Sequence, residues 1–598
     1  MLVWNKGDLN PEQEAAIQKD GNVFLIACPG SGKTRTLTYK IAYELSRLQS
    51  NKQVVIAITY THRAADEINE RIENLGVDTS QLWIGTIHSF CLEWILKPYS
   101  IYHDALSRGF HVINSHESEK ILEELCRPYS RSNITHWDCG FYFEKTGYVL
   151  SCQQLGKHAS LYAILDRYFE ILLESRRIDF ELILYYASEL IANHPSISAI
   201  LSRLFSFILI DEYQDTKQIQ YSIIASILKA GQGATKTFIV GDPNQAIYQS
   251  LGGYPIAAAD FQTMACIQLT ELALSKNYRS SERIVDYFGN YNVHKTIIQA
   301  ASDDKAYPSL ISFNDTITNS ELKTELIRLI RFNIETLGIP PHEVCIVAPW
   351  WIHLASMTRS LVVGMPEYQF DGPGLVPFAR DIDNFWYKLA KIVLTEASPQ
   401  MYIRRLRWAG EVLFDMDTSG IDVSKLTKKS LLRECNSIEI DEADGLRYLT
   451  LFFEALFERL NIDFRQFVVL HDHHQAFFES SQARIDRLTR EGAGAISDIT
   501  IFRKVFQNRS GITISTIHGV KGTEFDAVIA YALLEGMVPH FNDPNSQDSA
   551  MRLLYVIGSR ARKNLHLISE RGRSQGRFGE YQTTLKLANC NFYYDIFP

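Results

Sequence analysis

The chain has 598 residues and a formal net charge of −9, a length that predicts about three to five domains rather than one core. Its 46% hydrophobic and 22% charged residues are typical of globular proteins and exclude an intrinsically disordered chain. The sequence contains no uncharged apolar run of about 18 residues, no C-x-x-C pair among its nine cysteines and no signal-peptide pattern at its start. We therefore expect a cytoplasmic protein without a membrane segment, a zinc ribbon or an iron–sulfur centre.

The first predicted elements surround a glycine-rich turn. "VFLIA" (23–27) predicts a buried strand, and "TRTLTYKIAYEL" predicts the following helix. The turn between them matches the end of the phosphate-binding pattern G-x-x-x-x-G-K-[ST], with Ala27 in the place of the first glycine. Glycines allow successive N–H groups to face phosphate oxygens, and the helix adds the positive end of its dipole. An ordinary glycine-rich turn is the alternative. The residues expected to bind phosphate are Pro29, Gly30, Ser31, Gly32, Lys33 and Thr34.

Further along the chain, strands and helices alternate in two separate regions. "QVVIAIT" (53–59) is followed by a helix-like segment, which predicts a parallel sheet with crossover helices. Residues of about 100–200 have helical periodicity and no strand run, and the sheet resumes at "FSFILIDEYQD" (205–215) and "TKTFIVGDPNQ" (235–245). A second alternating region begins near "HEVCIVAPWW" and returns at "GITISTIHGVKGTEFDAVIAYALLEG", with a largely helical segment between them. The chain therefore repeats one scheme, an α/β core interrupted by a helical insertion.

Two carboxylates, Asp211 and Glu212, follow the predicted strand "FILI". The carboxyl edge of a parallel sheet is where the phosphate turn also lies. We expect Asp211 to bind Mg²⁺ together with the Thr34 hydroxyl, and Glu212 to orient and deprotonate a water molecule. Carboxylates that only cap a turn are the alternative. Together with the glycine-rich turn, the pair predicts an ATPase.

Ten segments follow one another along almost the whole chain: "LNPEQEAAI", "ACPGSGKTRTL", "ITYTHRAADEI", "GTIHSFC", "ILIDEYQDT", "VGDPNQAIYQSLGG", "LSKNYRSSERIV", "STIHGVKGTEFDAV", "LLEGMVPH" and "RLLYVIGSRARKNL". In sequence and in order they resemble the motifs of the superfamily 1A helicases of the UvrD/Rep/PcrA type. The resemblance implies an α/β fold with two RecA-like P-loop motor domains, each with a helical insertion subdomain. The implied bounds are 1–100 with 195–290 for motor 1A, 101–194 for insertion 1B, 291–380 with 497–598 for motor 2A, and 381–496 for insertion 2B.

The resemblance also implies roles for residues around Mg²⁺ and ATP, the expected cofactors. Gln13 would read the adenine, and Arg35 and Tyr278 would enclose the base. Glu524 would contact the ribose, and Gln245 would couple the γ-phosphate to the DNA cleft. Arg279 and Arg560 would act as arginine fingers, which suits a reaction catalysed mainly by positioning and charge stabilisation. The expected catalytic residues are Lys33, Glu212, Gln245, Arg279 and Arg560.

For single-stranded DNA, the resemblance points to short polar and aromatic side chains, which suit phosphate contacts and base stacking. The net charge describes the whole chain and not a local groove. Ser250 and Leu251 stand where the family normally has a tryptophan–arginine pair, so a stacking platform is missing. The residues expected to bind DNA are Thr61, His62, Thr86, His88, Tyr248, Thr516 and His518.

The sequence leaves two functions open. The first is an ATP-dependent helicase or translocase that moves 3′ to 5′ on single-stranded DNA, or on DNA with a single-stranded tail, in repair or another pathway. The second is an ATP-dependent sensor or switch in an antiphage defence complex, because "YQSLGG" gives the chain a loose resemblance to the small helicase subunits that pair with nucleases, as in the Gabija system. A separate nuclease chain is then the expected partner. The "HDHH" run (471–474) lies in a helical pattern, and we do not expect it to bind a metal.

Overall fold

A computed structural model of the protein describes residues 4–144, 147–372, 376–378, 384–490, 496–506, 511–541, 543, 545–576 and 579–596, apart from the side chains of His62, Arg63, His116, Ile352 and Gln400. The chain forms two compact units, Met1–Asn319 with Ile517–Pro598, and Ser320–Thr516. Over these described ranges, no helix has both the length and the apolar character to cross a membrane. The predicted bounds of the four subdomains stay a prediction.

The strands of the described residues are β1 (Asn22–Ala27), β2 (Val54–Thr59), β3 (Leu82–Thr86), β4 (His111–Val112), β5 (Phe141–Glu144), β6 (Gly147–Leu150), β7 (Arg177–Ile178), β8 (Phe205–Ile210), β9 (Lys236–Gly241), β10 (Leu269–Leu274), β11 (Lys276–Asn277), β12 (Gln299–Ala300), β13 (Ile311–Asn314), β14 (Val344–Ala348), β15 (Phe370–Asp371), β16 (Ile512–Thr516), β17 (Phe525–Ala530) and β18 (Ala561–Ile568).

The α-helices up to residue 319 are α1 (Pro11–Gln18), α2 (Lys33–Ser46), α3 (His62–Asn74), α4 (Ile87–Phe90), α5 (Lys97–Tyr99), α6 (Ser115–Cys126), α7 (Leu155–Glu174), α8 (Phe180–Asn193), α9 (Pro195–Leu204), α10 (Gln218–Ala230), α11 (Ala258–Ala265) and α12 (Glu282–Gly289). Those that follow are α13 (Leu322–Arg331), α14 (Trp351–Gly364), α15 (Phe385–Val393), α16 (Tyr402–Thr418), α17 (Lys428–Asn436), α18 (Gly445–Arg459), α19 (Val468–Arg490), α20 (Ile499–Lys504), α21 (Ser546–Ser559) and α22 (Leu585–Ala588).

The main sheet of the first unit has the strand order β10-β1-β9-β8-β2-β3, and each pair of neighbours is parallel. Helices cover both faces of such a sheet, so its strands are buried on both sides. Side chains that alternate along β1 belong to different apolar clusters: Phe24 packs on one face, and Val23 and Leu25 pack on the other. The α/β prediction is confirmed, and the carboxyl ends of these strands come together at one edge of the sheet.

The segment predicted to be a helical insertion is not wholly helical. It contains α6, α7 and α8, but β5 and β6 form an antiparallel pair, and β4 pairs with β7. The expectation that residues of about 100–200 carry no strand was therefore wrong. Apolar side chains of this segment, such as Leu165 and Leu184, belong to the same cluster as Phe24 of the main sheet. The apolar core of the insertion is thus continuous with the core on one face of that sheet.

Each unit also contains a smaller set of parallel strands. In the first unit β18 lies between β13 and β17. In the second unit β16 lies between β14 and β15. Helices α15 to α20 of the second unit surround an apolar cluster that includes the fully buried Trp386. This cluster corresponds to the largely helical segment expected between the two parts of the second α/β region.

Candidate nucleotide and DNA site

The glycine-rich turn connects β1 to α2, and two of its glycines are required by geometry. Gly30 and Gly32 have φ values of +67° and +80°, in the left-handed region that favours glycine. A β-carbon at Gly30 would lie 2.6 Å from Cβ of Arg279, and one at Gly32 would lie 2.6 Å from Nε2 of Gln13. The turn is therefore packed between Gln13 and Arg279, two residues that sequence analysis assigns to the same site.

Gln13 fixes the turn from the side of α1. Its side chain caps the helix by accepting from the Asn10 N–H at 3.0 Å, and its Nε2 donates to the Ser31 carbonyl at 2.9 Å. Asn10 also donates to the Tyr278 hydroxyl at 2.8 Å. Arg35 is exposed on the first turn of α2, with its guanidinium carbon 5.9 Å from the centre of the Tyr39 ring. The predicted contacts of Gln13, Arg35 and Tyr278 with a base stay predictions.

The segment after β10 closes over the other side of the turn. Asn277 Nδ2 donates to the Pro29 carbonyl at 2.7 Å, and the Tyr278 N–H donates to the Gly30 carbonyl at 2.9 Å. The Asn277 Oδ1 accepts from the Arg279 N–H at 2.9 Å. Asn277, which sequence analysis did not select, therefore sets the position of Arg279 relative to the phosphate-binding turn.

Lys33 faces the carboxylates that follow β8. Its Nζ lies 3.3 Å from Oε1 of Glu212, which adopts a left-handed backbone conformation with φ +51°. The Glu212 N–H donates to Asp211 Oδ1 at 2.9 Å, so the two carboxylates are adjacent. Burial raises the pKa of Asp211, and the Glu212 charge adds to this effect. Burial opposes ionisation of Glu212 as well, but Lys33 and Lys521 hold its pKa below the usual range. Glu212 is therefore the carboxylate that carries the charge.

The chemistry of Asp211 and Thr34 fits Mg²⁺. Thr34 lies on the first turn of α2, partly buried, and Asp211 is buried. Among the residues that the structure describes, no group of three or more His, Cys, Asp or Glu side chains could hold a metal ion. Mg²⁺ prefers oxygen ligands and commonly takes one carboxylate with water and substrate phosphates. One carboxylate and one hydroxyl are such a set.

A buried chain of hydrogen bonds leads from Glu212 to Arg560. Gln214 donates to Glu212, and its Oε1 accepts from the Asp242 N–H at 3.0 Å. Asp242 accepts from Gln245 Nε2 at 2.8 Å, and Gln245 Oε1 accepts from Arg560 Nη2 at 2.9 Å. Burial and the nearby Arg279 lower the pKa of Arg560 to about 9, so this guanidinium is still charged at neutral pH. Gln214 and Asp242, which sequence analysis did not select, complete the chain.

The two predicted arginine fingers lie close to the predicted ribose ligand. Arg279 Nε donates to Glu524, and its Nη1 donates to the Ser559 carbonyl at 2.8 Å. Arg562 Nη1 lies 3.3 Å from the other Glu524 oxygen. Burial opposes ionisation of Glu524, but Arg279 and Arg562 lower its pKa. The structure therefore brings Arg279, Arg560 and Glu524 together beside the phosphate-binding turn.

Lys521 joins this chain to the predicted DNA residues. Its Nζ donates to Asp215 and, at 2.8 Å, to the Gln245 carbonyl, and it lies 5.2 Å from the centre of the Tyr248 ring. The Tyr248 hydroxyl donates to the His518 carbonyl at 3.3 Å. Lys521 stands in "STIHGVKG". Its positive charge was the signal that could have marked it as a site residue.

Three further predicted DNA residues lie at, or shortly after, the carboxyl ends of the neighbouring strands β2 and β3. Thr61 and Thr86 cap α3 and α4 by accepting from backbone N–H groups, and the register pairs Thr59 of β2 with Thr86 of β3. His88 lies on α4, with its ring centre 5.8 Å from that of Phe180. The side chain of His62 lies outside the described residues, and Thr516 ends β16 in the second unit.

Tyr60, which was not predicted from the sequence, lies beside Tyr248. Its side chain is 42% exposed, and its ring stacks on Tyr248 with centres 5.3 Å apart and planes at 29°. Aromatic side chains at an exposed strand end suit sequence-tolerant stacking on bases. An aromatic residue directly after the strand "VVIAIT" was the signal that could have found it.

The turn with Ser250 and Leu251 is shaped by a neighbouring aromatic ring. Residues Gln249–Leu251 form a short 3-10 helix, and the Leu251 side chain is 55% exposed. Gly252 has φ +89°, and a β-carbon there would lie 2.9 Å from Cδ2 of Tyr142 in β5. The strand pair β5–β6 therefore packs against the turn that follows Tyr248.

Comparison with known proteins gives the same family at both ends of the chain. Residues 9–263 match the family described as UvrD/REP helicase N-terminal domain, and residues 499–572 match the UvrD-like helicase C-terminal domain. The chain is 23% identical to the ATP-dependent DNA helicase Rep of Buchnera aphidicola, over 93% of this chain and 94% of that protein. It is 24% identical to a probable DNA helicase II homolog of Rickettsia conorii, over 94% of this chain and 93% of that protein. It is 20% identical to the ATP-dependent DNA helicase PcrA of Staphylococcus epidermidis, over 97% of this chain and 85% of that protein.

The two family matches together span more than half of the chain, and the relatives align with nearly all of it. They imply two RecA-like motor domains, as the sequence predicts, and they agree with the parallel sheets described above. The protein is an enzyme, and the chain belongs to the UvrD-like family of ATP-dependent DNA helicases.

Proposed function

We propose that the protein couples hydrolysis of Mg-ATP to movement along single-stranded DNA in the 3′ to 5′ direction. The observation that carries this proposal is the continuous contact path from Glu212 through Gln245 to Arg560, with Lys521 connecting Gln245 to Tyr248. One end of this path lies at the phosphate-binding turn and the other lies at the proposed DNA-binding surface. A change at one end therefore has a direct structural route to the other.

At the nucleotide end, the backbone N–H groups of the turn and Lys33 bind the phosphates. Thr34 and Asp211 would hold Mg²⁺, which neutralises phosphate charge when it is bound. Glu212 accepts the proton of the attacking water, and its ionised state suits a general base. Arg279 and Arg560 stabilise the charge that develops on the transferred phosphate.

At the DNA end, the rings of Tyr60 and Tyr248 are stacked on each other. Thr61, the next residue along the chain, is exposed and carries a hydroxyl group. Stacking on every base and contacts to phosphates give binding that does not depend on sequence. Thr86, His88 and His518 complete the proposed surface of the first unit. The predicted DNA contacts of His62 and Thr516 stay predictions. Melting one base-pair step costs about 1.4 kcal/mol, which one ATP can supply.

The test is an ATPase assay with and without single-stranded DNA, combined with strand displacement on duplexes that carry either a 3′ or a 5′ single-stranded tail. We expect DNA to stimulate hydrolysis, and only the 3′-tailed duplex to be unwound. Lys33→Ala should abolish hydrolysis while the circular dichroism spectrum is unchanged. Hydrolysis at the wild-type rate in folded Lys33→Ala would contradict the proposal.

The second candidate function is an ATP-dependent sensor or switch subunit of an antiphage nuclease complex, with little unwinding of its own. It is favoured by Ser250 and Leu251, because this exposed turn carries neither an aromatic ring nor a positive charge with which to hold a base or a phosphate. The double variant Ser250→Trp with Leu251→Arg distinguishes the two. If unwinding per ATP rises, the chain is a helicase with weak coupling. If ATP turnover is strong and neither form displaces a strand, the sensor function is supported.

A further inference from the structure

Residues 590–596, which we call the 590–596 segment, contact β13 through Asp595. The Asp595 N–H donates to the Ile311 carbonyl at 2.8 Å, and Asp595 Oδ2 accepts from the Ile311 N–H at 2.7 Å. Ile311 is the first residue of β13, whose described partner strand is β18. The segment is therefore attached to an edge strand by both a backbone and a side-chain hydrogen bond.

The strongest polar contact of the segment is with Arg283 on the first turn of α12. Arg283 Nη1 donates to Asp595 Oδ2 at 2.7 Å, and Nη2 donates to Oδ1 at 3.0 Å. The same guanidinium donates to the Ser309 carbonyl at 2.6 Å and to the Tyr593 carbonyl at 3.1 Å. A two-bond arginine–carboxylate pair fixes orientation as well as distance. The ion pair therefore constrains α12 near its amino terminus.

Two aromatic rings of the segment hold α12 and β13 from the other side. The Phe592 ring lies edge-on to Tyr287 at a centre distance of 4.9 Å, and the Tyr594 ring lies 5.4 Å from Phe313. Tyr287 is on α12 and is 1% exposed. Tyr593, between them, is 83% exposed. The segment thus combines anchored side chains with exposed ones, such as Tyr593 and Ile596.

Helix α12 connects this segment to both arginine fingers. It begins three residues after Arg279. It also packs closely on α21, since a β-carbon at Gly558 would lie 2.8 Å from Cβ of Phe288, and the Phe288 and Tyr555 rings are 5.2 Å apart. Gly558 stands two residues before Arg560. A displacement of α12 would therefore reach both Arg279 and Arg560.

We propose that the 590–596 segment, through the Arg283–Asp595 ion pair, is a positioning element that sets Arg279 and Arg560 for ATP hydrolysis. This inference rests on the proposed function, in which both arginines act on the transferred phosphate. Asp595 and Arg283 have no contact with the nucleotide in this proposal. They act through α12, because a misplacement of about 1 Å is enough to slow a reaction that depends on positioning.

The experiment uses the full chain with the substitution Asp595→Asn, which removes the charge and keeps the shape of the side chain. We expect kcat for DNA-stimulated ATP hydrolysis to fall about three- to tenfold, while KM for ATP changes less than twofold. Tyr593→Ala is the matched control, because it alters an exposed side chain of the same segment and keeps the backbone carbonyl that Arg283 contacts. It should leave kcat unchanged.

A double-mutant cycle separates positioning from general destabilisation. In an Arg279→Ala background, Asp595→Asn should lower kcat by a smaller factor than in the wild type, because one of the two arginines that it positions is absent. The charge swap Arg283→Asp with Asp595→Arg should recover part of the lost kcat. An unchanged kcat in Asp595→Asn, or an equal loss in both backgrounds, would overturn the inference. If Arg279→Ala and Lys33→Ala themselves hydrolyse ATP normally, it is the proposed function that has failed.

Discussion

Gln245 Oε1 accepts a hydrogen bond from Arg560 Nη2 at 2.9 Å, and both side chains are almost completely buried, with exposed fractions of 3% and 2%. A buried guanidinium that loses an acceptor is destabilised, because its desolvation is no longer compensated. The same pair joins the residue proposed to sense DNA to one proposed to act on phosphate. We therefore expect the stability of the fold, and the stimulation of ATP hydrolysis by DNA, to depend on this one hydrogen bond.

Gln245→Leu tests that dependence. The apolar side chain cannot accept from Arg560, so we expect the free energy of unfolding to fall by about 1–3 kcal/mol and stimulation of the ATPase by DNA to be lost. Denaturant unfolding and ATPase assays with and without an oligonucleotide measure the two effects. A variant with normal stability and normal stimulation would show that the hydrogen bond has neither role.

Glu212→Gln should bind ATP and fail to hydrolyse it, because an amide cannot accept the proton of water. Loss of a general base costs roughly a hundredfold or more in rate. Binding of a fluorescent ATP analogue and single-turnover hydrolysis measure both steps. Glu181→Gln is a suitable control, since Glu181 pairs with Lys217 and belongs to no proposed catalytic group. Normal turnover in Glu212→Gln would mean that another residue is the base.

Tyr60→Ala and Tyr248→Ala should each weaken binding of a single-stranded oligonucleotide, because base stacking on an aromatic ring contributes about 1–3 kcal/mol. Tyr60→Phe keeps the ring and should bind normally. Fluorescence anisotropy at several salt concentrations measures the affinity, and its salt dependence should change little because phosphate contacts remain. Tyr102→Ala is the control, because it removes an exposed ring that lies against His194 and was not predicted to bind DNA. Equal affinity for all four variants would exclude stacking on Tyr60 and Tyr248.

His474 predicts a pH dependence of stability in the second unit. Burial, with Arg465 and His471 nearby, lowers the pKa of His474 to about 4, and its ring stacks on Phe464. An unfolded histidine has a pKa near 6.5, so between about pH 6.5 and 4 the unfolded chain binds a proton that the folded chain excludes. Stability therefore falls as the pH drops through this window. The variant His474→Phe should lose less stability than the wild type between pH 7 and pH 5 in urea unfolding. Parallel losses would show that His474 does not contribute.

Much of the fold, and the grouping of residues at the candidate nucleotide site, could be predicted because their signals are local. An apolar run stands just before Gly30, and another stands just before Asp211. In both places the strand and the site residues are contiguous in sequence. Lys521 and Asp215 are 306 positions apart, and no local pattern states that they meet. The strand pair β5–β6 was missed because two four-residue strands, separated from the main sheet by helices, leave too short a pattern to compete with the helical periodicity around them.

The contact between Gly252 and Tyr142 limits how this enzyme can be recombined with its relatives. Because a β-carbon at position 252 would lie 2.9 Å from the tyrosine ring, we expect that the two positions need to be exchanged together. A chimera that receives the segment around β5 and β6 from a relative needs, at position 142, a side chain that fits against Gly252 as Tyr142 does. Grafts made at the apparent ends of that segment, without regard to this pair, are expected to disturb the turn that carries Tyr248.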